Sequence, residues 1–321
     1  MWTEEFLEYL RQSTTESPKF EEAITFKQQH LPKQIYKYRG DDPRAHDTLK
    51  SSTIWLASPD SYNDPYDCFL RFSASTMTSA FERGLIDSFV TGLQLEVPAD
   101  KVDEIKQSAT PLETLSHNIT GVRKPGANPK EMVQFLSQIG RKFVEDTVNF
   151  LQLLQKVIKI CSFSAVSDSI IMWSHYGSNH QGFCVEYDLE RFDLGDAFLR
   201  NLYPVVYSNQ LFDLTPWAEK MVSGEAATLT SVFPLLGVIQ KFHGWAYEKE
   251  WRYVSFQENP TPNRTRPMPL PSRVFLGAKA VYSTKKELLA ICTDKNIPVW
   301  QMRMSDEKYE LLADPISDAK R

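Results

Sequence analysis

The run Trp245-Ala-Tyr-Glu-Lys-Glu-Trp-Arg252 is the stretch on which the fold and function hypotheses for this chain depend. It predicts a β-strand over 249–256, and successive side chains of a strand point to opposite faces. Glu248, Glu250 and Arg252 would then share one face. Two neighbouring carboxylates repel each other, which pushes the pKa of one of them upward. An active site uses such a pair, whereas the alternative is a solvated strand face on which Glu250 pairs with Arg252.

Strand patterns occur on both sides of this run. They are predicted at 35–39, 53–57, 158–164, 182–188, 203–208, 273–276 and 298–303. Helices are predicted at 4–12, 19–29, 44–50, 168–177, 217–222, 227–243 and 284–294. Strands that flank a helical block, without regular β-α-β alternation, favour an α+β fold with a mixed or antiparallel β-core.

The helical block is the stretch 75–158. Its helical patterns cover 77–92, 100–107 and 129–158. The last pattern has an apolar stripe along one side, formed by Met132, Phe135, Leu136, Ile139, Phe143 and Leu151. We therefore expect a single domain, 1–321, in which 1–74 and 159–321 form a β-rich core and 75–158 is a helical insert or subdomain.

Composition excludes some classes of function. The chain has 321 residues, 42% of them hydrophobic, and a net charge of −5, which argues against a sequence-blind nucleic-acid binder but leaves a local basic groove open. No apolar stretch approaches the ~20 residues that span a bilayer. The N-terminal segment lacks the features of a signal peptide, and the four cysteines show no CxxC spacing. We expect free thiols, a cytoplasmic location and no membrane partner.

Two motifs near the N-terminus carry candidate ligand-binding residues. In Tyr36-Lys-Tyr-Arg39 the guanidinium of Arg39 could hold a phosphate or carboxylate, and the alternative is a surface arginine at a strand end. In Asn63-Asp-Pro-Tyr-Asp67 the polar side chains and the proline predict a turn. The alternative for this motif is a rigid polar loop that lines a pocket.

Two further motifs lie in the middle of the chain. Ser162 and Ser164 would share one face of the strand at 158–164. His175 and Tyr176 would lie near the C-terminal end of the helix at 168–177, which Gly177 stops. Neither HExxH nor CxxC spacing accompanies these histidines, so we expect no metal and interpret His175 as a residue that orients a loop or contacts a ligand.

Together these motifs resemble a bacterial family known as domain of unknown function 2971. Its pattern is similar to residues 36–39, 49–67, 161–164, 172–188, 205–207, 241–252 and 274–277 of this chain. The resemblance covers most of the chain outside the helical block. It implies membership of an uncharacterised family and leaves the activity open.

A weaker resemblance concerns mechanism. ADP-ribosyltransferases of the arginine/serine/glutamate type carry an arginine, a serine strand and a late Glu-x-Glu strand, an order similar to that of Arg39, Ser162/Ser164 and Glu248/Glu250. The resemblance implies a split, mixed β-core with helical insertions. It also implies that Arg39 holds the NAD pyrophosphate, that the serines support the nicotinamide pocket, and that Glu250 binds the ribose and stabilises an oxocarbenium ion while Glu248 orients the acceptor.

Two other hypotheses stay open. A metal-dependent nuclease would require Mg²⁺ or Mn²⁺ at converging side chains of Asp64, Asp67, His175, His180 and Glu186. A non-enzymatic ligand-binding sensor of a stress or phage-defence system would use an aromatic-rich pocket. Its candidate residues are Tyr36, Trp55, Tyr62, Trp173, Tyr176, Trp245 and Trp251.

The leading hypothesis is an enzyme that cleaves NAD and transfers ADP-ribose to a macromolecule or to water. NAD is the expected substrate, and the partner is a macromolecular acceptor or a small-molecule ligand. The predicted catalytic residues are Glu250, Glu248 and His175. The predicted ligand-binding residues are Arg39, Tyr38, Asn63, Asp64, Ser162, Ser164 and Tyr176.

Overall fold

The strand expected around Glu250 is present and begins at that residue. In the computed structural model, which describes residues 2–13, 18–126, 128–216, 232–256 and 264–316, this strand is Glu250–Phe256 (β10). The other strands have these bounds: Gln34–Arg39 (β1), Thr53–Trp55 (β2), Leu95–Glu96 (β3), Gly121–Val122 (β4), Ile158–Ser164 (β5), Phe183–Asp188 (β6), Leu202–Pro204 (β7), Val206–Ser208 (β8), Gln240–Phe242 (β9), Thr265–Pro267 (β11), Arg273–Leu276 (β12), Val299–Met304 (β13) and Leu311–Pro315 (β14).

Eight of these strands form one continuous sheet, in the order β14-β13-β12-β6-β1-β5-β10-β7. Strands β12 and β13 run parallel, and the other neighbours are antiparallel. The expected α+β fold with a mixed sheet is therefore confirmed. The split that the ADP-ribosyltransferase resemblance implied is not seen among the described strands, because the hydrogen-bonded order is unbroken from β14 to β7.

The α-helices have the following bounds: Trp2–Arg11 (α1), Pro18–Gln28 (α2), Pro43–Lys50 (α3), Ala74–Gly92 (α4), Val102–Gln107 (α5), Pro111–Asn118 (α6), Pro129–Val157 (α7), Ile170–Tyr176 (α8), Ala197–Arg200 (α9), Val232–Val238 (α10) and Tyr282–Asp294 (α11). Of the expected helices, 217–222 lies outside the described residues. The expected helix 227–243 is shorter where it is described, because its C-terminal part forms β9.

The chain divides into two compact units. The first comprises Met1–Cys68, Gln155–Gln210 and Leu235–Arg321, and the second comprises Phe69–Leu154 and Leu211–Pro234. The sequence predicts a different division, a single domain with a helical insert at 75–158, and this division stays a prediction.

One face of the main sheet carries the larger apolar core of the first unit. Ile35, Phe163, Val185 and Trp251 are buried there together with side chains from α3 and α11. Each fully buried aliphatic or aromatic side chain of this kind contributes about 1.5–3 kcal/mol through removal of apolar surface from water. The opposite face of the same strands is where the polar residues lie.

The second unit has its own apolar cluster, formed between α4, α5, α6 and α7. The long helix α7 contributes Val133 to this cluster, and Val144 packs with Met77 of α4. Only part of the stripe that predicted α7 makes such contacts. Leu136 packs against the cluster, and Phe143 stacks on Phe81 of α4. Met132, Phe135 and Ile139 are exposed, so the face that packs in the unit is rotated from the face marked by the sequence pattern.

Candidate functional site

Arg252 is the centre of a buried cluster of charges. Its side chain has no exposed surface, and its guanidinium forms a two-pronged pair with Asp67, both N–O distances being 2.8 Å. The same group donates to both carboxylate oxygens of Glu250, at 2.8 and 3.0 Å, and to the carbonyl oxygen of Val238. A buried guanidinium requires this complete set of acceptors, because removal from water is otherwise strongly unfavourable.

Lys241 connects the cluster to a third carboxylate. Its ammonium group donates to Glu248 at 2.6 Å and to Glu250 at 3.0 Å, and it lies 3.5 Å from Asp67. Lys241 is the last but one residue of β9, a short strand that pairs with β8. The three carboxylates carry one more charge than the two cations, so the cluster is close to neutral but has a surplus of negative charge.

Glu248 reaches this cluster through a sharp change in backbone direction. It ends a 3₁₀ helix, His243–Glu248, and is followed by Lys249 in the left-handed conformation, with φ of 44°. The expectation that Glu248 lies on the strand with Glu250 and Arg252 is therefore wrong. The left-handed residue between the two glutamates lets both carboxylates contact Lys241. Only Glu250 and Arg252 lie on the strand itself, where they share one face.

The pKa values of the two glutamates are shifted in opposite directions from that of an ordinary carboxyl group. Burial and the neighbouring negative charge of Glu250 raise the pKa of Glu248. Burial also acts on Glu250, but Arg252 and Lys241 outweigh it and hold the pKa of that carboxyl well below its usual range. Two carboxylates in one site therefore differ in their readiness to carry a proton, which is how enzymes assign acid and base roles.

These groups border a cleft in the first unit with a volume of about 190 Å³. Tyr176 donates a hydrogen bond of 2.6 Å to Glu248 at this cleft, and burial together with that carboxylate raises the pKa of the phenol. The cleft is lined by Tyr36, Lys37, Tyr38, Tyr62, Asn63, Asp67, Ser162, Phe163, Ser164, Met172, Tyr176, Lys241, Glu248 and Glu250.

The helix α8 places Tyr176 by well-defined local signals. The hydroxyl of Ser169 caps its start by accepting a hydrogen bond from the backbone N–H of Met172. Gly177 follows its last residue, where a β-carbon would lie only 2.8 Å from the carbonyl oxygen of Trp173. A larger residue at this position would displace the end of the helix and the phenol with it.

Six residues predicted for the site line the cleft besides Glu250: Tyr38, Asn63, Ser162, Ser164, Tyr176 and Glu248. The two serines differ in their hydrogen bonds. Ser164 donates to the backbone carbonyl of Glu248 and accepts from the N–H of Val166, so its hydroxyl fixes the backbone under the glutamate. Ser162 lies next to Arg252 in the strand register and 3.4 Å from the hydroxyl of Tyr62.

Arg39 does not line the cleft. Tyr36, Ser164 and Glu250 are direct neighbours across β1, β5 and β10, so they share one face of the sheet. Arg39 is three residues from Tyr36 and projects from the opposite face. The role expected for Arg39, holding a phosphate beside Glu250, has no support in this arrangement.

His175 and Asp64 lie beside the cleft and each holds an aromatic residue. The ring nitrogen Nδ1 of His175 is 3.1 Å from the hydroxyl of Tyr247, and Asp64 accepts a hydrogen bond of 2.8 Å from the indole of Trp245. Neither His175 nor Asp64 is among the lining residues. Their contacts fit a positioning role for both side chains.

Sequence reasoning missed Lys241 and Arg252 as site residues, and it named Asp67, another member of the cluster, only for the nuclease hypothesis. Lys241 stands in the Lys-(x)₃-Trp pattern of the family resemblance, and Arg252 was considered only as a surface partner of Glu250. Both Lys241 and Arg252 lie within the stretch 241–252 that carries the family resemblance. Their burial, which makes them part of a site, depends on contacts between distant segments.

The residues of the nuclease hypothesis do not converge. Asp67 pairs with Arg252, Asp64 with Trp245, and His180 with Ser174. Glu186 accepts from Ser272 and pairs with Arg273. Across the described parts of the chain, no group of three or more His, Cys, Asp or Glu side chains is arranged to hold a metal ion.

A comparison with family models adds to this geometry. The model described as "Protein of unknown function (DUF2971)" matches residues 172–253. The resemblance to the DUF2971 family is confirmed. The segment that matches DUF2971 includes Tyr176 and four of the five charged residues of the cluster, Lys241, Glu248, Glu250 and Arg252. No curated protein and no solved structure gives a significant match to the chain.

Two further structural properties concern the helices and the cysteines. None of the described helices is both long and apolar enough to cross a membrane. All four cysteines are buried.

Proposed function

We propose that the cleft is the active site of an enzyme that breaks a glycosidic bond, with Glu248 as the group that transfers a proton. The observation that carries this proposal is the pair of buried carboxylates with opposite pKa shifts at one cleft. The raised pKa of Glu248 makes its carboxylate a stronger base than an ordinary one, so it suits taking the proton of the hydroxyl or water that attacks the sugar. Cleavage of the nicotinamide–ribose bond needs no general acid, because nicotinamide leaves as a neutral pyridine. Glu250 stays ionised because Arg252 and Lys241 contact it.

The charge arrangement supports this class of reaction. Cleavage of a glycosidic bond passes through an oxocarbenium-like transition state, in which positive charge develops on the sugar ring. The cluster has a surplus of negative charge, and it is fixed before any ligand binds. A preorganised charge of this kind stabilises a transition state without reorganising during the reaction.

The nicotinamide–ribose bond of NAD is the first substrate to test. The cleft is smaller than the roughly 300–1,000 Å³ of sites that enclose a drug-sized ligand, so it suits a ribose-sized group and not a whole dinucleotide. Arg39 has no role in the proposed reaction. The product that forms will identify the acceptor as a macromolecule or as water.

The decisive experiment compares wild-type protein with Glu248→Gln and a matched control, Glu186→Gln. Glu186 is also a buried carboxylate of the main sheet, and it is outside the cleft. Each protein is incubated with NAD and a cell lysate, and nicotinamide release and labelled ADP-ribose are followed. We expect a loss of about 10²–10⁴-fold in Glu248→Gln, the usual contribution of acid–base catalysis, and little change in Glu186→Gln.

Two results would contradict the proposal. The first is an absence of turnover by the wild-type protein with NAD and with a panel of chromogenic ribosides and glycosides. The second is turnover in Glu248→Gln at the wild-type rate. Turnover of a riboside but not of NAD would keep the reaction class and remove NAD as the substrate.

A second candidate function is a ligand-binding sensor, including one in a stress or phage-defence system in the cytoplasm. It is favoured by the complete internal pairing of the cluster, in which Arg252 and Lys241 already contact every carboxylate of the group. A site of this type binds a ligand without breaking it. A rise in melting temperature with a nucleotide or sugar, together with no turnover of that compound, would favour the sensor over the enzyme.

A further inference from the structure

The long helix α7 has an apolar surface that its contacts within the unit leave largely exposed, although Phe143 at its edge stacks on Phe81 of α4. Six large apolar side chains of this helix are exposed, two of them by more than half: Met132, Phe135, Ile139, Phe143, Phe150 and Leu153. The buried side of the helix is different and includes Val133, Gly140 and Val144. An exposed apolar surface of this extent marks an interaction site more often than an ordinary surface.

The exposed apolar residues follow a seven-residue repeat in part, with the polar residues Lys142 and Asn149 at its second position after Phe135. Met132, Ile139 and Leu153 fall on one position of the repeat, with Asp146 completing the series, and Phe135 begins the second position. Phe143 and Phe150 lie one residue past that second position. Apolar residues at these spacings form a seam that packs against another helix. At 1.5 Å per residue the seam from Met132 to Leu153 is about 30 Å long.

The outer positions of the seam are symmetric about its centre, whereas the inner positions are not, because Ile139 corresponds to Asp146 and Phe143 to Lys142. Met132 and Leu153 are equally far in sequence from the midpoint between Lys142 and Phe143, and so are Phe135 and Phe150. An antiparallel copy of the same helix would therefore place methionine on leucine and phenylalanine on phenylalanine. A two-fold axis produces such self-complementary contacts.

The charges near the midpoint fit the same arrangement. Lys142 and Asp146 lie on the exposed side of the helix and form an ion pair of 2.8 Å within it. In the antiparallel pair, Lys142 would come within one helical turn of Asp146 of the second copy. Opposite charges in an otherwise apolar seam fix its register and orientation.

We propose that this face of α7 is the interface through which two copies of the chain associate, with the two helices antiparallel. The proposal is independent of the function proposed for the cleft. It rests on the exposure, the spacing and the symmetry of the seam.

The first test measures association by sedimentation velocity over a concentration series. Wild-type protein is compared with Phe135→Glu and with Gln134→Glu, an exposed neighbour outside the seam. Because the symmetry brings residue 135 against residue 150 of the second copy, Phe135→Glu introduces a charge at two places. We expect a dimer for the wild type and Gln134→Glu, and a dissociation constant at least tenfold higher for Phe135→Glu.

The second test fixes the orientation with disulfide bonds. The native cysteines are all buried, so cysteines introduced at the seam dominate oxidation. Met132→Cys combined with Leu153→Cys should give covalent dimers under mild oxidation, and Met132→Cys alone should give none. Residues 132 and 153 are about 30 Å apart on one helix, which excludes a bond within one chain.

Three outcomes would overturn the proposal. A wild-type protein that stays monomeric at high concentration removes the interface. A dimer that Phe135→Glu leaves intact places the interface elsewhere. Covalent dimers from Met132→Cys alone show that the helices are parallel.

Discussion

Two regions of the molecule reverse the usual distribution of side chains, and they do so in opposite ways. In the first unit, Arg252, Lys241 and three carboxylates are buried, although charged side chains are rarely found inside proteins. In the second unit, α7 exposes a row of large apolar side chains to solvent. One region keeps charge away from water, and the other keeps apolar surface in water.

The two regions differ in how far their side chains are paired or covered by the rest of the chain. The buried charges are satisfied by one another, by the hydroxyl of Tyr176 and by the carbonyl oxygen of Val238. The apolar row is covered only at its edge, where Phe143 stacks on Phe81, because another face of α7 packs within the unit. The first region is complete in its pairing, whereas the second leaves apolar surface in contact with water.

The largest effect is expected from removing the centre of the buried cluster. Arg252→Met leaves Asp67 and Glu250 buried without their main partner, which should lower the free energy of unfolding by about 3–5 kcal/mol. Urea denaturation at neutral pH measures this change. Arg303→Met is the control, because its pair with Asp314 is exposed and contributes less than about 1 kcal/mol. Equal stability of the two variants would show that the cluster is not needed for folding.

A smaller effect is expected from the two glutamates, and it should differ between them. Glu250→Gln removes a charge that both Arg252 and Lys241 contact, so we expect a loss of about 2–4 kcal/mol. Glu248→Gln should lose about 1 kcal/mol or less, because burial already disfavours its ionised form. Urea denaturation of both variants at neutral pH tests the ranking. A reversed order would mean that Glu248 is the structural member of the pair.

The same pair predicts opposite pH dependences. The pKa of Glu250 is lowered by folding, so its stabilisation is present above its unfolded pKa, about 4.3, and is lost as the pH falls. The pKa of Glu248 is raised, so its contribution is present below that unfolded pKa and is lost as the pH rises through the folded one. Free energies of unfolding from pH 3 to pH 8 should therefore fall less steeply with acid in Glu250→Gln. In Glu248→Gln they should fall less steeply as the pH rises. If both variants kept the pH dependence of the wild type, folding would not shift the pKa values of Glu248 and Glu250 in these directions.

The smallest effect is expected on the exposed row of α7. Val133→Ala removes buried apolar atoms from the second unit and should cost about 1–2 kcal/mol. Phe135→Ala, two residues further along the same helix, should change the stability of the monomer by less than about 0.5 kcal/mol, because its side chain is exposed. Thermal or urea denaturation of dilute protein makes the comparison. A large loss in Phe135→Ala at low concentration would mean that the row packs within its own chain.

Much of the fold was predictable from local patterns. The strands β5 and β12 and most of β6, β10 and β13 were expected from runs of β-branched and aromatic residues. The helix α7 was expected from its apolar stripe, but the direction of that stripe was not. An apolar stripe predicts a helix with one apolar face, but it does not predict which part of the protein covers that face.

The candidate site was predictable in part. The alternation of a strand correctly placed Glu250 with Arg252, and the two serines of β5 with each other. The position of Arg39 was wrong, although alternation had already put it on the opposite side from Tyr36. Which side faces Glu250 depends on the pairing of β1 with β5 and of β5 with β10, and those strands are far apart in sequence.

The sequence by itself determined the α+β class, most strand positions and the run that holds both glutamates, because these follow from local periodicity and residue type. Only the tertiary structure decided that Glu248 meets Glu250 on Lys241, that Arg252 is buried, and that Arg39 lies on the other face. These facts depend on strand register and on a left-handed residue at position 249. The physical reason is that hydrogen-bonded pairing joins segments far apart along the chain, and no local pattern specifies which segments will meet.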